Sequence, residues 1–291
     1  MIIALPHRSL IRFGKDDAAP FLNDLITAKV PETAEEGIRP GALLTPQGRI
    51  LFDMLISRDG EDILIELDQN RADAFMKKMM MYRLRRDVSI SADDRPVFAC
   101  LEANHQDGMR DDMLLDTRFS DNVFRIYGTP ESDEINDNIA AYQAYRYQHG
   151  VPEGGDEMPP EKALPLEARL DLDQGISFEK GCYIGQEVTA RTRYRGLVKR
   201  SYLPVLLPDD ITAPAEIMAG TKVVGELFGI APYEDGFIGL ASIRLDALAQ
   251  GQDQDHDHDQ GQPGNPLMIN DQPITPTFPP RLMPLPARKE S

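Results

Sequence analysis

Apolar and polar residues alternate over the first 130 positions in a way that predicts strands paired in an antiparallel sheet. Residues 49–57 and 62–67 alternate on either side of an Arg-Asp-Gly turn, which predicts a hairpin. A methionine-rich apolar stripe at helical spacing then predicts a helix that starts at Asp68 or Asn70, ends at Tyr82 and packs in the core. Because further short strands follow, the order of elements indicates an α+β fold rather than a doubly wound parallel sheet.

Two more helices are predicted from the same spacing. One covers residues 18–29. The other runs from residue 132 or 133 to about residue 149, where Gly150 stops it, and it carries Arg146. Residues 151–160 are rich in proline and glycine and are expected to form a loop.

From residue 198 onward the pattern changes to short apolar runs separated by glycine and proline turns. This spacing predicts a small all-β domain, similar to a barrel. Residues 250–266 interrupt it with a low-complexity stretch of almost no apolar content, which predicts disorder. The sequence therefore predicts an α+β region over residues 1–197 and a β domain over residues 198–291.

The formal net charge of −17 at pH 7 comes from 31 basic and 48 acidic residues. Such a charge repels phosphate backbones, so we predict that the protein does not bind nucleic acid directly. Residues 77–86 and 191–200 are basic exceptions. The run at 77–86 is either a solvated helix end, whose cations complement the helix dipole, or a landing site for an anionic small molecule.

The cellular location is predicted from three features. No apolar run approaches the length of about 20 residues that a membrane-spanning helix needs. The first residues place their basic positions after a short apolar start, which is the reverse of a secretory signal. Cys100 and Cys182 give no disulfide framework, so we predict a cytoplasmic protein with no membrane association.

Residues 178–191 form the stretch with the clearest chemistry, FEKGCYIGQEVTAR. Glycines on both sides of Cys182 and Tyr183 permit a tight loop that presents the thiol. Lys180 and Arg191 are nearby cations, and cations favour the thiolate, which is the form that attacks electrophiles or ligates metals. The alternative is a buried cysteine that packs as a small hydrophobe, the role expected for Cys100 in its apolar strand.

The residues KGCYIGQE, followed by RTRYRGLVKR, resemble the signature of the YgfZ-type folate-binding proteins. These proteins are relatives of the glycine-cleavage T protein, and they include a mitochondrial factor that helps mature [4Fe–4S] proteins. The likeness also includes FLNDLITAKV, GALLTPQGRILFDMLI and GFIGLASIR, so it covers nearly the whole chain. It implies a multi-domain ring of T-protein type, with antiparallel sheets packed by helices and a C-terminal β-barrel-like domain. Residues 1–197 would form two intertwined subdomains that bind folate.

The resemblance implies a central cavity for tetrahydrofolate or a derivative. Such a cavity needs a carboxylate for the edge of the pterin ring and cations for the anionic tail. Asp53, inside an apolar strand, is the implied carboxylate, unless it faces water from an edge strand. Arg146 is implied as a partner of the folate tail or as a group that orients Asp53. The other candidate cofactor-binding residues follow the cysteine: Tyr183, Gln186, Glu187 and Arg191.

The implied function is the assembly or repair of [4Fe–4S] proteins, including radical enzymes that modify transfer RNA. Cys182 would act as a thiolate ligand or transfer group, and Lys180 would keep it ionised. One thiolate cannot hold a cluster alone, so the cluster would be shared with an A-type iron–sulfur carrier. This describes a binding and transfer protein rather than a turnover enzyme. The alternative is a folate-dependent aminomethyl transferase. It is disfavoured because Phe52 stands beside Asp53, where aminomethyltransferases carry a second aspartate.

Overall fold

The structure is a computed structural model that describes residues 1–101, 113–119, 123–130, 135–209, 211–249 and 265–286. The chain divides into two compact units. Unit 1 comprises Met1–Tyr142, Glu153–Pro165 and Leu170–Ala190, and unit 2 comprises Gln143–Pro152, Leu166–Arg169 and Arg191–Ser291. The domain limits predicted from the sequence, 1–197 and 198–291, stay a prediction. Most of the insert predicted to be disordered, residues 250–264, lies outside the described residues.

The elements up to residue 194 alternate short strands with helices. In chain order they are β1 (Ile2–Ala4), β2 (Arg8–Gly14), α1 (Ala18–Asn23), β3 (Arg39–Leu44), β4 (Ile50–Asp59), β5 (Asp62–Asp68), α2 (Gln69–Arg83), β6 (Ser89–Asp93), β7 (Val97–Leu101), β8 (Met113–Leu115), β9 (Val123–Tyr127), β10 (Ile135–Asn136), α3 (Ile139–Gln148), α4 (Gly154–Glu157) and α5 (Gln186–Tyr194).

Two sheets of unit 1 are built from these strands. The first has the order β3-β4-β5-β2-β6 and is antiparallel throughout. Its apolar face packs with residues of α1 and α2, among them Phe21, Leu22, Phe75 and Met79, into one hydrophobic core. The second has the order β10-β1-β7-β9-β8, and only its β1–β10 pair is parallel. Cys100 is buried in the second sheet, which confirms its predicted core position.

The elements from residue 200 onward form a third sheet with one helix. They are β11 (Arg200–Leu207), β12 (Ala215–Ala219), β13 (Lys222–Tyr233), β14 (Gly236–Arg244), α6 (Leu245–Ala249), β15 (Leu267–Ile269), β16 (Gln272–Pro273) and β17 (Thr275–Pro276).

The third sheet has the antiparallel order β16-β15-β12-β13-β14-β11-β17 and forms a nearly closed barrel. Register shifts in the β12–β13 and β13–β14 pairs mark bulges, and bulges of this kind bend and twist a sheet. The strands enclose a core of aliphatic side chains such as Leu203, Leu227 and Ile243. Both the α+β class and the C-terminal barrel predicted from the sequence are confirmed.

The local predictions succeed where the apolar periodicity is strong. The hairpin of β4 and β5 is confirmed, and α2 begins as predicted, because the Asp68 side chain accepts a hydrogen bond from Asn70 N at 2.9 Å. The predicted burial of the whole methionine stripe of α2 is wrong at one position. Met79 is fully buried, whereas Met80 is 47% exposed.

Three predicted bounds are wrong for identifiable reasons. The first predicted helix ends at Asn23 rather than residue 29, because the chain then turns to pair Thr27 with Ala42. The helix predicted from residue 132 begins at Ile139, because Ile135–Asn136 is used as strand β10 beside β1. The predicted loop at 151–160 contains the single turn of α4.

None of the helices in the described part of the chain combines the length and the apolar character that a membrane span requires.

Candidate functional site

The Cys182 side chain is exposed to solvent, in contrast to the buried Cys100. It lies in an irregular stretch just before α5, and both belong to the segment that the flanking glycines single out. No hydrogen bond to the thiol is present among the described residues. The prediction that position 182 presents its sulfur outward therefore agrees with the geometry, and its role as a ligand stays a prediction.

The start of this loop is fixed to the edge of the first sheet through Thr27. The Thr27 hydroxyl donates to Gly175 O at 2.6 Å and accepts from Ala42 N at 2.9 Å, and Ser177 N donates to Thr27 O at 2.9 Å. Thr27 is fully buried, so these bonds are shielded from water. Residues 175–177 are thereby tied to Thr27, which is itself bonded to Ala42 of β3.

Lys180 forms the second attachment. Its ammonium donates to Ile26 O and Ala28 O, both at 2.6 Å, and lies 4.9 Å from the centre of the Tyr183 ring. Burial lowers the pKa of Lys180 to about 7, against the opposing influence of the Asp24 carboxylate. The observed contacts make Lys180 a clamp between the cysteine loop and residues 26–28. Its predicted effect on the ionisation of Cys182 stays a prediction.

Gly185 forms the third attachment, at the start of α5. Its φ is +80°, and a Cβ at this position would lie 2.7 Å from Thr45 O and 3.1 Å from Gly48 Cα. Gly48 itself has a φ of +75° in the turn between β3 and β4. The two glycines therefore allow two stretches of backbone to approach more closely than side chains would permit.

The residues after Cys182 divide into one buried ring and a polar helix. Tyr183 is buried, burial raises its pKa to about 12, and its hydroxyl has no hydrogen-bond partner within the part of the chain that the structure describes. Gln186 opens α5 and its side-chain amide donates to Gly181 O at 3.5 Å. Glu187 and Arg191 are both exposed and lie one turn apart on α5.

Asp53 lies on β4 and is buried, with 8% of its surface exposed. Its Oδ2 accepts a hydrogen bond from Gly154 N at 2.9 Å, at the start of α4. Burial raises the pKa of Asp53, while the charge of Arg8 and the Gly154 N–H act in the opposite direction. Asp53 makes no ion pair with any described residue. It is therefore a buried carboxylate with one hydrogen bond from the main chain, not an edge-strand residue that faces water.

A buried network of charges joins the two sheets of unit 1. Glu66 on β5 accepts from Arg8 Nε at 2.8 Å, from Arg125 Nε at 3.2 Å and from the Tyr127 hydroxyl at 3.0 Å. Glu66 and Arg125 are fully buried. This network is not among the features predicted from the sequence. The signal was present, because Glu66 and Arg125 each interrupt an apolar strand in the way that singled out Asp53.

The network continues around Arg118. Its guanidinium donates to Asp116 Oδ2 at 2.8 Å and to Glu153 Oε2 at 2.7 Å, and Glu153 also accepts from the Tyr142 hydroxyl at 2.7 Å. Burial acts to raise the pKa of Asp116, but the charges of Arg118 and Arg125 outweigh it and hold that pKa below its usual value. Asp116 therefore stays ionised and paired with Arg118.

The structure brings some of the predicted site residues together and leaves others apart. Lys180, Cys182, Tyr183, Gln186 and Glu187 share one short segment of unit 1, whereas Asp53 lies on β4 of the same unit. Arg146 belongs to unit 2, where its Nη1 donates to Val151 O at 2.9 Å. Its predicted contact with a folate tail or with Asp53 stays a prediction.

Cys182 is the metal ligand predicted from the sequence, and this role stays a prediction. Across the described residues, no group of three or more His, Cys, Asp or Glu side chains is arranged to hold a metal ion. Iron–sulfur clusters take about four protein ligands, so a cluster at Cys182 needs ligands from another molecule.

Comparisons with known proteins agree with this architecture. Residues 199–284 match the family described as the CAF17 C-terminal beta-barrel domain. The mitochondrial iron–sulfur cluster assembly factor IBA57 of Mus musculus is 30% identical over 278 residues, which cover 84% of this chain and 77% of that protein. The factor of the same name from Homo sapiens is 32% identical over 271 residues, 81% of this chain and 75% of that protein.

A solved structure shows the same fold. The crystal structure of the glycine cleavage system aminomethyltransferase T from Bartonella henselae matches with a TM-score of 0.73 and 15% sequence identity, over 96% of this chain and 85% of that chain. At this identity the likeness concerns the fold alone. It confirms the predicted T-protein type of α+β fold.

The predicted cytoplasmic location is wrong. Both IBA57 relatives are named as mitochondrial proteins, which points to a mitochondrial rather than a cytoplasmic location. Of the three features behind the prediction, only the absence of a disulfide framework indicated a reducing compartment, and it does not distinguish among such compartments.

The share of both chains covered by these two relatives and their identity of 30% or more establish the family. The chain belongs to the family of IBA57 iron–sulfur cluster assembly factors, which is related to the YgfZ-type proteins.

Proposed function

We propose that Cys182 supplies one thiolate ligand to an iron–sulfur cluster that is shared with an A-type carrier and then passed to [4Fe–4S] client proteins. The observation that carries this proposal is the exposure of Cys182 on a loop that is fixed by Thr27, Lys180 and Gly185. A fixed loop presents the sulfur in one position, which lowers the entropic cost of completing a coordination sphere with ligands from a partner.

Exposure also favours a ligand that is shared over one that is internal. A thiol enclosed by the protein could be reached only by groups of the same chain. An exposed thiol can bond to iron that is already held by another protein, and the remaining ligands then come from that protein. The protein would act in transfer, and no turnover chemistry of its own is required.

We further propose that unit 1 binds tetrahydrofolate or a derivative through Asp53. A buried carboxylate without an ionic partner gains free energy from any additional donor that reaches it. The N–H groups at the edge of a pterin ring are donors of this kind, and Asp53 already has a fixed orientation from its bond to Gly154 N. Asp53 would hold the edge of the ring, and folate would serve as a stabiliser or a cofactor rather than as the transferred cargo.

The cluster proposal is tested by reconstituting the purified chain with an A-type carrier, iron and sulfide. Replacing Cys182 with serine should remove the visible absorption of the shared cluster. Cys100→Ala is the matched control, because it removes the other thiol and leaves position 182 intact. A shared cluster of wild-type yield in Cys182→Ser would contradict the proposal.

The folate proposal is tested by titrating tetrahydrofolate against Asp53→Asn. Asparagine keeps the shape of the side chain, and its amide oxygen can still accept a hydrogen bond from Gly154 N. Its NH2 group, however, would face the N–H groups of the pterin, so that two donors meet and no hydrogen bond forms. We expect at least tenfold weaker binding, about 1.4 kcal/mol. Asp73→Asn, an exposed position on α2, should bind like the wild type. Equal affinities for all three proteins would refute a role of Asp53.

The proposed clients include the radical [4Fe–4S] enzymes that modify transfer RNA. This is tested by measuring the modified nucleosides in total transfer RNA from cells that carry only Cys182→Ser. A loss of the nucleosides made by radical enzymes, with other modifications unchanged, is the expected result. Unchanged levels would remove these enzymes from the list of clients.

A further inference from the structure

The end of helix α2 carries exposed apolar side chains that no other described element covers. Met80, Met81 and Leu84 are 47%, 71% and 84% exposed. Together with the exposed Lys77 and Arg85 they form a surface that we name the α2 tip. Clusters of large exposed apolar side chains often mark a surface that binds a partner.

The backbone conformation at Leu84, which places this leucine in the α2 tip, is strained. Leu84 has a φ of +49° and a ψ of −109°, in the region of positive φ that usually takes glycine at the end of a helix. A glycine would relieve the strain and remove an exposed leucine at the same time. The chain instead keeps an apolar side chain projecting into solvent.

The two cationic side chains of the α2 tip have no acidic partner among the described residues. Lys77 and Arg85 form no ion pair with any residue that the structure describes, although the chain as a whole has a net charge of −17. Arg83 contacts only a main-chain oxygen among the described residues, Val88 O at 3.3 Å. The surface is therefore locally cationic with an apolar centre.

The α2 tip is connected to the cysteine loop through one short segment. Arg86, next to the tip, forms an ion pair with Asp24 at 2.5 Å. The same segment, a few residues on, supplies the Ile26 and Ala28 carbonyl oxygens that hold the Lys180 ammonium. All of these residues belong to unit 1, and the contacts made by residues 24–28 link the tip to the cysteine loop.

We propose that the α2 tip is the docking surface for the iron–sulfur carrier that shares a cluster with Cys182, and that this carrier presents carboxylates around an apolar contact. The inference rests on the proposed function. Methionine and arginine are enriched in protein interfaces, and the tip consists mainly of these residues and leucine. Its cations complement carboxylates on the partner, and the link through residues 24–28 means that a partner bound at the tip is held on the same unit as the thiol.

An anionic membrane is the competing occupant, and the charge distribution disfavours it. A bilayer is an extended plane that faces the whole molecule, so the net charge of −17 opposes its approach. A protein contact is limited to the tip, and screening over about 10 Å removes most of the repulsion from the rest of the chain.

The test measures binding of the purified full-length chain to a purified A-type carrier, at low and at physiological salt. Leu84→Gly with Met81→Ser removes the apolar centre and relieves the backbone strain, and Lys77→Glu with Arg85→Glu reverses the charge. Each pair should weaken binding at least tenfold, and the charge reversal should also flatten the salt dependence. Lys222→Glu with Val223→Ser, an exposed pair on the barrel, is the matched control and should bind like the wild type.

The outcomes separate this inference from the proposed function. Tip variants that bind the carrier like the wild type overturn the inference, even if Cys182→Ser still abolishes the shared cluster. Tip variants that bind carrier normally but lose binding to vesicles containing 30% anionic lipid identify a membrane surface and also overturn it. Weaker carrier binding by the tip variants, with normal binding and no cluster in Cys182→Ser, supports both. A wild-type chain with no affinity for the carrier contradicts both.

Discussion

A methyl group at Gly185 would test whether the position of the cysteine loop depends on the close contact between Gly185 and the β3–β4 turn. In Gly185→Ala the new Cβ would lie 2.7 Å from Thr45 O and 3.0 Å from Leu44 Cβ. The positive φ costs a residue with a Cβ about 1–2 kcal/mol. Forcing a methyl group against packed backbone adds about 1–3 kcal/mol. We therefore expect a loss of about 2–5 kcal/mol in the free energy that holds the loop in place.

Gly181→Ala is the matched control, four residues away and on the other side of Cys182. A Cβ at Gly181 meets nothing within 4 Å, and its φ is not in the strained region. We expect a change within about 0.5 kcal/mol for this variant. Both variants leave the thiol in place, so they separate the position of the loop from its chemistry.

Hydrogen exchange of the amides from residue 175 to residue 190 measures the effect locally. Because the chain has two units, local exchange is more informative than a single unfolding midpoint. Gly185→Ala should exchange at least 30-fold faster over this segment, which corresponds to about 2 kcal/mol. Its shared cluster with the carrier should fall in yield. Equal exchange rates over this segment in Gly185→Ala and Gly181→Ala would refute the claim that close backbone contact fixes the loop.

Two further predictions concern the buried charges of unit 1. Since burial lowers the pKa of Lys180 from its usual 10.5 to about 7, the unfolded chain binds more protons between those values, and the stability of the wild type should rise with pH relative to Lys180→Met. The slope should approach about 1.4 kcal/mol per pH unit between pH 7 and 10 in urea unfolding, and parallel pH profiles for the two proteins would contradict it. Glu66→Gln should cost about 3–5 kcal/mol, because Arg8 and Arg125 keep their buried charge and lose their shared partner. A loss below about 1 kcal/mol in the same assay would show that the network relaxes without it.

The sequence was sufficient for features that a local pattern encodes. The glycines around Cys182 predicted an exposed thiol, and a charge inside an apolar run predicted that Asp53 is not an ordinary surface residue. The hairpin of β4 and β5 and the helix α2 follow from strong alternation and from the Asp68 cap. In each of these cases the deciding residues are close together in the chain.

The contacts that define the site were not predictable in the same way. Lys180 binds carbonyl oxygens that lie 154 and 152 residues earlier in the sequence, and nothing near Lys180 indicates them. Glu66 and Arg125 meet because strands from two sheets face each other. Only the finished fold establishes that arrangement.

Helix α5 was missed for a different physical reason. It is short and polar, with Thr189 as its buried residue and Val188 exposed, so it shows no apolar periodicity to recognise. Its position depends on Gly185 and on the first turn packing beside Gly48, and both are tertiary effects. The same holds for residues 135–136, which pair with β1 and so cannot begin the helix that their composition favours.

The role of Cys182 in cluster transfer is tested most directly in cells that lack this protein and are supplied with Cys182→Ser. The measurement is the activity of an endogenous [4Fe–4S] enzyme, together with tetrahydrofolate binding by the purified variant. We predict that the enzyme activity stays at the level of cells without the protein, whereas the variant binds folate like the wild type. Enzyme activity restored to the wild-type level by Cys182→Ser would contradict the claim that this sulfur takes part in cluster transfer.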